Sequence, residues 1–79
     1  MQQWKNIQAS LNNLTLKCVM LNKTVADMIE LKAEPSMLPF IDMALEATLI
    51  KKMTIQVAEL VTELDHAGDL FEEAFTTDE

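Results

Sequence analysis

The chain has 79 residues, 49% of them apolar, with one Gly, two Pro and one Cys. That is one domain near the size limit of a lone core; it is too apolar for a disordered tail and too poor in turn residues for an all-β fold. Net charge is −7 and all six basic residues are Lys, which argues against nucleic-acid recognition, where Arg and a positive surface do most of the binding.

The first helix is predicted over residues 3–32. Trp4, Ile7, Leu11, Leu14, Cys18, Leu21, Val25 and Met28 recur at alternating steps of three and four, the spacing of a seam between packed helices. Asn6, Gln8, Ser10, Asn13, Lys17 and Lys23 fill much of the remaining surface. Pro35 ends the helix, because it drives Glu34 out of helical geometry, and residues 33–37 form the turn. So short a connection makes the next helix an antiparallel neighbour.

The second helix is predicted over 38–67, with Ser36 as its cap and Pro39 in its first turn, where a missing N–H is harmless. Leu38, Ile41, Leu45, Leu49, Met53, Val57, Leu60 and Leu64 supply its side of the seam. Phe40, Met43, Ala47, Ile50, Ala58 and Val61, with Ala44, make an adjoining apolar arc. Only a narrow stripe, Asp42, Glu46, Lys52, Gln56, Glu59 and Glu63, is polar. A helix apolar over most of its circumference is normally covered by more than one neighbour. The arc is therefore the candidate partner interface.

Gly68 is expected to close the second helix, with Asp69 and Glu72 as a capping box for a short helix over 70–75 bearing Leu70, Phe71 and Phe75. The alternative is one helix continuing through Gly68, at about 1 kcal/mol relative to Ala. Residues 76–79 are expected to fray. The fold class is thus all-α: an antiparallel hairpin of two long helices with a short C-terminal helical segment, completed to a bundle by self-association or by a partner.

Charge is unevenly distributed. Residues 1–26 hold Lys5, Lys17 and Lys23 and no acid, whereas from Met53 onward there are eight acids and no base. Antiparallel pairing sets these regions side by side and is favoured by the asymmetry. The acidic third is equally a handle for a basic partner or a solubility device.

Catalytic constellations are not evident. Cys18 sits at a seam position and reads as a structural thiol, and its being alone excludes an internal disulfide and fits a reducing, cytoplasmic setting. No signal-peptide pattern, no membrane-spanning run, no glycine-rich phosphate loop and no paired-Cys zinc pattern is found. Asn13–Thr15 and Asn22–Thr24 match a glycosylation pattern by chance. Glu63 and His66 have the Glu-x-x-His spacing of di-iron bundles. That site also needs glutamates from two further helices, and the facing stretch from Trp4 to Gln8 has none. No metal or cofactor is therefore expected, and His66 reads as a residue favourable to the helix C-terminus.

Small acidic helical proteins with a wide apolar face suit an adaptor or chaperone that shields a partner's helix, and that non-enzymatic role is the functional expectation. The alternative is a structural or regulatory homodimeric four-helix bundle without a client, with a metal-binding bundle through Glu63 and His66 third. In size and layout the chain resembles the short helical-hairpin co-chaperones of type III secretion needle subunits. The local likeness is Met43-Ala-Leu-Glu-Ala-Thr-Leu49, under a tenth of the chain. The expected partner is another protein chain, either a second copy of this one or a heteromeric helical partner.

Overall fold

The computed structural model describes residues 2–76, and the expected frayed end beyond Thr76 lies outside them. The described residues form two helices: α1, Gln2–Ala33, and α2, Pro39–Thr76. They lie side by side and antiparallel. Lys32 reaches Glu46, Lys17 reaches Glu59 and Ser10 reaches Glu63, so residues later in α2 meet residues earlier in α1. The molecule measures 64 × 14 × 13 Å, with a radius of gyration of 18.0 Å, against about 12 Å for a compact domain of this length. Each helix has one neighbour.

Pro39 starts α2 as expected, but Leu38 occupies the cap position, its carbonyl accepting from the Asp42 amide at 3.3 Å. Ser36 acts one step further out. Its Oγ accepts the Leu38 amide at 3.1 Å, and Asp42 Oδ2 reaches back to the Ser36 amide at 2.9 Å. These reciprocal bonds satisfy amides that a helix start would leave without partners.

Gly68 does not end α2, and residues 70–75 are not a separate helix; α2 runs unbroken to Thr76. The reason is packing. Ala67, Leu70 and Ala74 continue the row facing α1, so stopping at Gly68 would strip the N-terminal turns of α1 of their cover. That outweighs the roughly 1 kcal/mol that a helical Gly costs relative to Ala.

The contact between the helices is a heptad seam. In α1 the residues shielded from solvent are Ile7, Ser10, Leu14, Lys17, Leu21, Thr24, Met28 and Leu31. In α2 they are Asp42, Glu46, Leu49, Met53, Gln56, Leu60, Glu63, Ala67, Leu70 and Ala74, with Phe71 beside them. Both sets step by three and four, and we label them a and d: Ile7 and Glu46 are a, Ser10 and Leu49 are d.

This corrects the seam read from the sequence. Ile7, Leu14, Leu21, Met28, Leu49, Met53 and Leu60 do face the other helix, but Trp4, Leu11, Cys18, Val25, Leu38, Ile41, Leu45, Val57 and Leu64 are exposed. Ser10, Lys17, Asp42, Glu46, Gln56 and Glu63, which the apolar pattern assigned to the polar surface, lie in the seam instead, and Thr24 lies there with them.

Candidate partner-binding face

The exposed apolar residues are ordered by the same register. Beside the a and d rows of a coiled coil run two flanking rows, e and g, and in an antiparallel pair both e rows lie on one side and both g rows on the other. The e row of α1 is Trp4, Leu11, Cys18, Val25 and Lys32. That of α2 is Met43, Ile50, Val57, Leu64 and Phe71. With the cross-helix bonds fixing the register, Trp4 stands level with Phe71, Leu11 with Leu64, Cys18 with Val57, Val25 with Ile50 and Lys32 with Met43. Nine of these ten residues are uncharged and apolar. Trp4 is 63% exposed, Met43 66% and Leu64 57%. The one charge, on Lys32, is drawn back onto Glu46 at 2.7 Å.

The opposite side is polar. Its g rows hold Asn6, Asn13, Met20 and Asp27 on α1 and Leu45, Lys52, Glu59, His66 and Glu73 on α2. The hairpin therefore has one apolar and one polar broad side, joined by a seam that is itself mixed. Among buried residues, the apolar Ile7 and Ala67 are outnumbered by the polar Ser10, Thr24 and Gln56. Thr24 folds its hydroxyl onto the Met20 carbonyl at 3.2 Å, and Gln56 Nε2 donates to the same carbonyl at 3.4 Å. Gln56 Oε1 and Asp42 Oδ1 are buried without a partner. The e rows, as apolar as the shielded a rows, are left largely open while polar residues occupy much of row d.

Two of the six candidate interface residues of α2 lie within this open side, three lie beside it, and Ala58 lines a groove on the other side. Met43 and Ile50 are in row e, Phe40, Ala47 and Val61 in the adjoining row b, and Ala58 one row further round; all six are exposed. Periodicity found this arc but missed its continuation across Trp4, Leu11, Cys18 and Val25 of α1, because those residues had been given to the seam. Leu16 and Val19 of α1 and Ile55 of α2 are exposed outside the face.

The other side carries two grooves, one of about 610 Å³ along Lys17, Ile55, Ala58, Glu59, Glu63 and His66 and one of about 380 Å³ along Asp27, Glu30, Leu31, Glu34 and Leu45. Neither collects a nucleophile with a base. Glu63, placed on the solvent stripe by its sequence neighbours, is half-buried in the seam and accepts the Ser10 hydroxyl at 3.0 Å. No group of three His, Cys, Asp or Glu suited to a metal forms among the described residues. No helix among them is long and apolar enough to cross a membrane.

These features define a two-helix antiparallel hairpin with one apolar broad side. Compared with protein-family models, with curated proteins and with solved structures, the chain matches none.

Proposed function

We propose that the chain is a non-enzymatic protein-binding module whose working surface is the side bearing both e rows, and that it holds apolar helices of another chain there. One observation carries this reading. The wholly apolar row of α2 and the apolar flank of α1 lie on the same open side, while the contact between the helices includes seven polar residues. A monomer consisting of this hairpin alone would leave the nine apolar residues of its e rows largely open while seating seven polar residues in its seam, an arrangement that apolar burial disfavours. An open apolar side of this kind suits an adaptor or chaperone for a partner's helix, as in helix-in-groove recognition.

Photo-cross-linking in cells tests the reading. A photoreactive side chain at Val57, in the middle of the face, is expected to couple to a protein chain. The same side chain at Lys52, on the polar side, is expected to couple to none. Equal coupling at both positions, or none at Val57, overturns the assignment of the face.

A further inference from the structure

We infer that the open face is closed by a second copy of this chain, the two hairpins sharing a two-fold axis along their length with both loops at one end, so that α1 of each lies against α2 of the other. The inference rests on the proposed binding face and names its occupant.

Three observations converge on it. The first is direction. In α1 the apolar stripe runs along rows a and e, so its centre points about 50° away from α2 at about 100° per residue. In a square four-helix bundle each helix has two neighbours at right angles, and its apolar centre lies about 45° from each; a single added helix would give about 30°. In this respect α1 is oriented as a helix of a four-helix bundle.

The second is area. From their fractional exposures the e rows leave roughly 800 Å² of apolar surface open, the share each partner contributes to a standard stable interface and more than the few hundred Å² a monomer usually shows.

The third is charge. Up to residue 26 the described part of α1 carries three lysines and no acid, and α2 from Met53 to Thr76 carries six acids and no base. With both loops at one end, each lysine-bearing half of α1 stands between two acidic halves of α2, its own and its partner's. With loops at opposite ends it would instead face the turn-proximal part of a second α1, which offers Asp27 and Glu30 alongside Lys32, and this advantage would be lost. The axis along the hairpin also sets like layers together, so Leu11 meets Leu64 of the second copy and Cys18 meets its Val57.

The purified full chain tests this directly. Light scattering at micromolar concentration is expected to give twice the chain mass of 8.9 kDa. Oxidation with copper phenanthroline then reads the arrangement. Wild type alone is expected to give no covalent dimer, since the two Cys18 lie diagonally across the bundle. The C18A/V57C variant alone is expected to give none for the same reason. An equal mixture, equilibrated before oxidation, is expected to give covalent dimer through Cys18 of one chain and the cysteine at 57 of the other. Cross-linking of wild type alone means loops at opposite ends and overturns the inference, as does a dimer whose mixture stays uncoupled. A monomeric mass overturns it too. In that case coupling from Val57 to a different protein in cells leaves the binding-module reading standing, and no coupling removes both.

Discussion

The Ser10 hydroxyl donates to Glu63 Oε2 at 3.0 Å across the seam, joining the N-terminal third of α1 to the C-terminal third of α2. Ser10 is buried and Glu63 half-buried, so the carboxylate has exchanged part of its water for this donor. Ser10→Ala is expected to destabilise the hairpin by about 1–2 kcal/mol, because a part-buried acceptor loses its donor. Replacing both groups, as in Ser10→Ala with Glu63→Met, is expected to recover most of the loss, since no unpaired polar atom remains. Thermal melts of the two variants check this; equal losses in both would mean the bond contributes no stability.

Gln56 gives a second, opposite expectation. Its Oε1 is buried without a partner and its Nε2 makes only a long 3.4 Å bond to the Met20 carbonyl. Gln56→Leu is expected to stabilise the chain by about 1 kcal/mol, removing an orphaned acceptor and adding apolar contact at the centre of the seam. Denaturant titration reads it as a raised midpoint with an unchanged slope. A lowered midpoint would show that the amide is indispensable there.

Gly68 distinguishes one long helix from two. A Cβ built at Gly68 meets nothing within 4 Å, and the residue does not have a positive φ. Gly68→Ala is therefore expected to stabilise α2 by about 0.5–1 kcal/mol through helix propensity and a less flexible unfolded chain. Had Gly68 been a left-handed helix terminator, the same change would be destabilising. The sign of the shift in melting temperature decides between them.

The two long helices, the Pro35 break and the antiparallel arrangement were legible in the sequence, because apolar periodicity and a short proline-bearing turn speak directly to them. The rotation of each helix was not. Periodicity reports where the apolar stripe is centred, and in α1 that is between rows a and e. The helix then turns a and d to its neighbour, which buries Ser10 and Thr24, partly shields Lys17, and exposes Trp4, Leu11, Cys18 and Val25. A stripe that serves two neighbours cannot, from sequence alone, be told from one that serves a single neighbour squarely. The same ambiguity hid Glu63 and Gln56: polar residues at seam positions look like a solvent stripe until the register is known. Gly68 misled for a simpler reason, since a helix-ending glycine and a tolerated one are the same residue in a sequence.

The seam and the open face can be separated by where a charge is introduced. Leu21 lies in row a, shielded between the helices. Leu21→Asp places an unpaired carboxylate there and is expected to cost on the order of 3 kcal/mol, enough to unfold so thin a hairpin. Lys23→Asp, two residues on and exposed, is expected to leave helicity and melting temperature nearly unchanged. Circular dichroism compares them, and a folded Leu21→Asp variant would overturn the register.

Charges on the open face are expected to act on association alone. Ile50 and Met43 are exposed in row e, and neither is shielded by α1. Within one hairpin Ile50→Glu or Met43→Glu therefore sets a carboxylate in water, and exposed changes of this kind are usually within about 0.5 kcal/mol. In an assembly closed over that face the same carboxylate is desolvated without a partner, at a cost of about 2–5 kcal/mol for each interface it enters. Both variants are thus expected to keep their helical circular-dichroism spectrum while losing the associated state, seen as a fall in mass by light scattering or as lost coupling from Val57. Leu21→Asp loses helicity and mass together, which separates seam from face in one experiment. A variant pair that keeps the wild-type mass and coupling would show that nothing covers row e. A pair that unfolds as a monomer would mean that row e is packed within the single chain, and the binding face would have to be sought elsewhere.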